Sequence, residues 1–118
     1  MRILSVDIGG SHIKTLLSGE TPDAKRRSPS GSDFTPAQMV EAIHAMRTPD
    51  EFDVMTIGVP SPIKDGRILK SPVNLGPGWK DFDFADAFGG TPIRLMNDAA
   101  MQAVGSYENG KMLFLGLG

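Results

Sequence analysis

Residues 7–14, Asp7-Ile8-Gly9-Gly10-Ser11-His12-Ile13-Lys14, constrain the fold more than any other stretch. They separate two apolar, β-branched runs of strand length, residues 1–6 and 13–17. Two strands around Gly9-Gly10-Ser11 predict a tight hairpin, with the glycines supplying positive φ. Such a turn can aim several backbone N–H groups at one anion. Asp7 is a lone carboxylate at the strand end beside that concavity. It repels a bare phosphate, so the pairing points to Mg2+ between carboxylate and phosphate. An ordinary hairpin, with Asp7 and Ser11 satisfying the turn, explains the same residues.

Past the hairpin, residues 18–22 read as a turn and 24–28 as a short polar edge strand. Thr35-Pro36-Ala37-Gln38 then reads as an N-cap, a first-turn proline and the glutamine of a capping box. Met39, Val40, Ile43 and Met46 follow at helical spacing, which predicts an amphipathic helix over 36–47. His44 lies beside that stripe and reads as structural, because no second ligand accompanies it. Residues 52–58 form a strand of buried type that runs into the stiff loop Pro60-Ser61-Pro62. Asp65-Gly66 is a hairpin turn with residues 67–70 returning from it.

Residues 71–79 are irregular, and Trp79 at their end argues for a docked loop rather than a linker. A short helix over 81–88, with Phe82, Ala85 and Phe88 along one side, is capped by Gly89-Gly90. Residues 91–96 are a strand that breaks into a helix at 97–104, with Asn97 or Asp98 as its N-cap. A last apolar strand, 111–115, leads into Gly116 and Gly118.

Composition excludes several classes of function. The 118 residues suit a single core, and a net charge of −2 gives no general attraction to nucleic acid or anionic membrane. Lys25-Arg26-Arg27 is the one basic run and reads as a solvated strand or loop. With no cysteine there is no disulfide framework, thiolate zinc site or Cys nucleophile, which suits the cytoplasm. The opening residues lack the pattern of a signal peptide, and no apolar run approaches a membrane span.

Four elements can carry chemistry: the first hairpin, the Pro60-Ser61-Pro62 loop, the loop from Asn74 to Trp79, and Asn97-Asp98 at a strand–helix junction. Ligands of open α/β sheets bind beyond the C-terminal ends of the strands. One residue of the Asn97-Asp98 pair can cap the helix while the other points into a cleft. A carboxylate there can accept a hydroxyl proton as that oxygen attacks phosphorus. The plain alternative for Asp98 is a helix cap.

Five ordered motifs resemble the ROK-family sugar kinases. They are the 7–14 octapeptide, Gly58-Val-Pro-Ser-Pro62, the run from Asp65 to Trp79, Asn97-Asp98-Ala99-Ala100 and Leu115-Gly-Leu-Gly118. The likeness is nearest to the polyphosphate-glucokinase-like branch. It implies an α/β fold of the ribonuclease-H-like, actin-like ATPase type, with a mixed sheet flanked by helices. The implied reaction moves a phosphoryl group from ATP or polyphosphate, with Mg2+, to the 6-hydroxyl of glucose or a related hexose. By resemblance Asp7, Gly9, Gly10, Ser11 and Lys14 belong to the first phosphate loop, with Asp7 near the metal. Asp98 is implied as the catalytic base and Asn97 as a sugar ligand. Pro60, Ser61 and Asn74 border the sugar, although Ser61 stands where many members have Gly. Gly116 and Gly118 open the second phosphate loop.

The resemblance divides the chain into an N-terminal lobe, 1–110, and the first strand of a second lobe, 111–118. The remainder of that C-terminal lobe is expected as a partner. A terminal strand apolar on both faces is also expected to pair with a covering strand, in a homo-oligomer if not in the facing lobe. A lobe by itself is expected to have negligible turnover, and a non-catalytic sugar- or phosphate-binding lobe is the alternative. A repressor of this family carries DNA-binding helices before the first strand, which the opening strand does not suggest. A dinucleotide fold is disfavoured because Gly9-Gly10 lacks a third glycine and precedes a strand.

Overall fold

The computed structural model describes residues 1–72 and 74–97. The expected helix at 97–104 beyond its first residue, the terminal strand and the residues Asp98, Gly116 and Gly118 lie outside the described residues.

The first hairpin is β1 (Ile3–Ile8) and β2 (His12–Leu17), antiparallel as expected. Asp7 lies within β1 rather than after it, paired in register with Lys14. β2 pairs antiparallel with β3 (Arg26–Pro29), a polar edge strand. β1 pairs on its other side with β4 (Val54–Val59), and β4 with β7 (Ile93–Asn97), both parallel. The order of the resulting five-stranded sheet is β3-β2-β1-β4-β7. Central strands that are covered on both sides read as continuous apolar runs, and β4 does so.

Residues in register share a face. Leu4, Val6 and Ile8 share one with Met55, Ile57 and Val59, all buried. Helix α1 (Pro36–Met46) covers this face with Met39 and Ile43 buried, while Met46 reaches Thr15. Its capping box forms as expected: Gln38 N–H donates to Thr35 Oγ1 at 3.3 Å, and Thr35 N–H to Gln38 Oε1 at 2.9 Å. His44 is exposed and meets the ring of Phe88 edge-on at 5.5 Å. The opposite face carries Ser5 and Asp7 beside Thr56 and Gly58.

β5 (Ile63–Lys64) and β6 (Arg67–Ile68) form the hairpin expected at Asp65-Gly66, whose φ values of 53° and 74° suit a tight primed turn. The return strand is shorter than residues 67–70. Trp79 is fully buried, stacked 6.2 Å from Phe34, with Nε1 donating to the Phe34 carbonyl at 3.0 Å.

Two expectations are corrected. Gly9 and Gly10 are not among the positive-φ residues, so the turn does not need them for backbone freedom. The short helix is α2 (Phe84–Ala87), capped by Asp83, and its buried residues are Phe84 and the following Phe88, with Ala85 exposed. Aspartate at the N-cap outcompetes helix at residues 81–83. Gly89 and Gly90 do terminate it at positive φ. The strand expected at 91–96 is β7, which extends to Asn97, held to Val59 by parallel pairing.

Candidate functional site

β1, β4 and β7 are parallel, so their C-terminal ends meet at one edge of the sheet. The loops that follow β1 and β4 converge there, as does the Asn74 loop. Asp7 is in register with Gly58 and Gly58 with Met96; one residue further, Val59 is in register with Asn97. Asp7 and Asn97 therefore leave the same edge from opposite faces.

The turn at residues 9–11 is held from outside. Gly9 N–H closes it by donating to the His12 carbonyl at 2.9 Å. Ser30 donates twice to it, through N–H to the Ser11 carbonyl at 3.0 Å and through Oγ to the Gly9 carbonyl at 2.6 Å. Gly10 and Ser11 are exposed, and neither N–H meets a protein acceptor among the described residues. Two adjacent, unpaired amides on a fixed turn suit an anion.

Gly10 sits at a tight contact. A Cβ at that position would stand 3.2 Å from Asn74 Cβ, so the turn and the Asn74 loop pack directly together. Asn74 itself is exposed at this contact. Asn97 Nδ2 donates to the Ser61 carbonyl at 3.1 Å, joining the end of β7 to the loop after β4. Ser61 is buried and its hydroxyl donates to the Lys70 carbonyl at 2.7 Å, closing the β5–β6 excursion. Its hydroxyl is thus engaged by the fold, while Pro60 beside it is half-buried. Lys14 is half-buried next to Asp7.

Sequence reasoning missed Ser30, Phe34 and Gly76. The Phe34 carbonyl accepts from Gly76 N–H at 2.7 Å and from Trp79, and so ties the Asn74 loop to the start of α1. Gly76 is obligatory for packing: a Cβ there would lie 2.8 Å from Asp33 backbone atoms. Nothing in a Ser-Gly-Ser loop announces such a role, because the partners are remote in sequence.

A hollow of about 650 Å³ lies between residues 28–34 and α1, but includes none of the expected site residues. Topology and the unpaired amides favour the sheet edge instead. Among the described residues no three His, Cys, Asp or Glu side chains gather to hold a metal. That donor set still fits Mg2+, which binds through one or two carboxylates plus substrate phosphates and water. Asp7 supplies one carboxylate beside the turn.

No protein-family model matches the sequence, and neither does any curated protein. Solved structures do match. The ROK hexokinase from Thermus thermophilus has a TM-score of 0.71 at 23% identity, over 94% of this chain and 40% of that one. The inorganic polyphosphate/ATP-glucomannokinase from Arthrobacter sp. strain KM scores 0.73 at 22% identity, over 92% and 49%. A ROK family glucokinase from Streptomyces griseus, solved with glucose and AMPPNP, scores 0.70 at 24% identity, over 93% and 37%. This mixed α/β fold is the actin-like ATPase fold of the ROK sugar kinases. The chain spans less than half the length of each of these three proteins. Among the described residues no helix is long and apolar enough to cross a membrane.

Proposed function

We propose that this chain is the N-terminal lobe of a cytoplasmic sugar kinase. Residues 1–110 form the lobe and 111–118 begin the facing one, with Gly116 and Gly118 opening its phosphate loop. The kinase transfers a phosphoryl group from ATP or polyphosphate to the 6-hydroxyl of glucose or a related hexose. One observation carries this reading: unpaired amides at Gly10 and Ser11 sit beside an exposed Asn74 at the C-terminal edge of a kinase-type sheet.

The turn amides bind and orient the donor phosphates, with Asp7 holding Mg2+. The metal, when bound, neutralises charge on the phosphates. Asn74 and Asn97, with the backbone at Pro60 and Ser61, orient the sugar. Asp98 takes the proton of the sugar hydroxyl as that oxygen bonds to phosphorus and the bond to the donor oxygen breaks. Transfer of this type depends chiefly on positioning and electrostatics, so a lobe lacking the facing phosphate contacts turns over negligibly.

Glucose titrated into the chain, followed by backbone amide NMR, tests the sugar site. Shifts at the Asn74 and Asn97 edge, lost in Asn74→Ala, are expected; shifts elsewhere alone overturn the assignment. In the two-lobed kinase, Asp98→Asn should lower kcat by roughly 10²–10⁴-fold, the usual contribution of a general base, with sugar affinity kept. An unchanged rate would make Asp98 a cap, since Asn caps as well as Asp.

A further inference from the structure

Residues 30–34 touch both halves of the site, and we propose that they form a strap coupling sugar binding to phosphate binding. The proposal rests on the kinase reading above and adds Ser30 as a positioning residue. A peptide unit is planar and trans, so its C=O and N–H point in opposite directions. The Gly9 carbonyl and the Gly10 N–H belong to one such unit. By donating Oγ–H to the Gly9 carbonyl at 2.6 Å, Ser30 fixes that plane and with it the aim of the Gly10 N–H. Its own N–H does the same for the next carbonyl but one, at Ser11.

The other end of the segment grips the sugar loop. Phe34 N–H donates back to the Gly31 carbonyl at 3.0 Å, making the segment a short closed turn. The Phe34 carbonyl then accepts from Gly76 N–H and from Trp79 Nε1. Gly76 lies so near Asp33 that no side chain fits between them. The contact of Gly10 with Asn74 completes a ring: phosphate turn, Ser30, Phe34, Gly76, Asn74, and back to the turn. An ordered phosphate turn holds Asn74 in place, and an ordered Asn74 holds the turn. Coupling of this kind is reciprocal, each ligand raising the other's affinity by one common factor.

The test titrates glucose and tripolyphosphate with Mg2+ into the 118-residue chain, each alone and with the other saturating. The wild type should show equal mutual enhancement, at least about fivefold, the lower end of usual coupling. Ser30→Ala should weaken tripolyphosphate by up to roughly tenfold, as for one lost hydrogen bond, with glucose alone within about twofold. Its coupling factor should fall to one, and Ser30→Thr, which keeps the hydroxyl, should restore it. A wild-type coupling factor of one overturns the strap whether or not the variant folds. So does a Ser30→Ala chain that binds both ligands as cooperatively as the wild type, or that loses both affinities equally with the factor intact; the kinase reading then survives. Absence of binding by either ligand to the wild type overturns both.

Discussion

The two ends of the central sheet are built on opposite principles. At the end where β1 starts, Arg2, Glu20, Arg47 and Asp53 are paired, although the buried Ser5 hydroxyl further along β1 has no partner. Arg47, the C-cap of α1, is fully buried and donates to both Glu20 carboxylate oxygens at 2.9 Å, to Thr15 and to the Ala24 carbonyl. Glu20 in turn accepts from Leu17 N–H, and Arg2 meets Asp53 across the strand starts. At the opposite end glycines allow close approach, and among the described residues the amides of Gly10 and Ser11 meet no protein acceptor. Paired charges stabilise one end, and the proposed binding site lies at the other, where two amides have no protein acceptor among the described residues.

The largest effect should follow from breaking the ion-paired end. Glu20→Gln leaves the Arg47 guanidinium buried without its counter-charge. Removing one member of a buried pair costs about 3–5 kcal/mol, and Glu20's 26% side-chain exposure brings the expected loss to about 2 kcal/mol. Urea denaturation measures it, and glucose affinity should not change. The same pair sets an acid limit. Arg47's hydrogen bond, aided by Leu17 N–H and opposed by burial, holds the Glu20 carboxyl below its ordinary 4.5. A depressed carboxylate contributes its stability fully above the unfolded value and loses it as pH falls through the folded one. The wild type should therefore lose stability below about pH 4.5, and Glu20→Gln should lose less over that interval.

A smaller effect separates two glycines, Gly10 at the proposed binding edge and Gly66 in the β5–β6 turn. Gly66 has φ +74° and open space around it, whereas Gly10 has ordinary φ and a crowded neighbour. Gly66→Ala should cost about 1 kcal/mol through left-handed strain and leave ligand affinity alone. Gly10→Ala should cost less than about 1 kcal/mol, because Asn74 has to yield only a few tenths of an ångström. It should nevertheless weaken both glucose and tripolyphosphate. Equal behaviour of the two variants would erase the distinction between a turn shaped by φ and one shaped by contact.

Those glycines also show what the sequence could disclose. Asp65-Gly66 is legible because local chemistry decides a primed turn, and the Thr35/Gln38 box is legible for the same reason. Trp79 was readable as docked, since so large a ring is costly to leave in water. Gly10 was read correctly as special but for the wrong cause, because its crowding comes from Asn74, sixty-four positions later. Ser30 and Arg47 escaped notice for the same reason: a loop serine and a helix-end arginine become specific only through remote partners. In α2 Phe88 is buried as the pattern predicts, whereas Asp83 as N-cap places Phe84 rather than Ala85 in the core.

The smallest effect tests whether every contact at the ion-paired end matters. Asp53 accepts from Arg2 N–H at 2.7 Å and pairs with its guanidinium at 3.3 Å, and these bonds hold its carboxyl below the ordinary range. Both side chains are about half exposed, 56% and 47%, so water competes for each group and salt screens the pair. Asp53→Asn should leave the urea midpoint unchanged within error, and added salt should not separate the variant from the wild type. Glu20 differs because its partner has no access to water. If Asp53→Asn instead unfolded as readily as Glu20→Gln, hydrogen-bond saturation rather than burial of the cation would be what stabilises that end of the sheet.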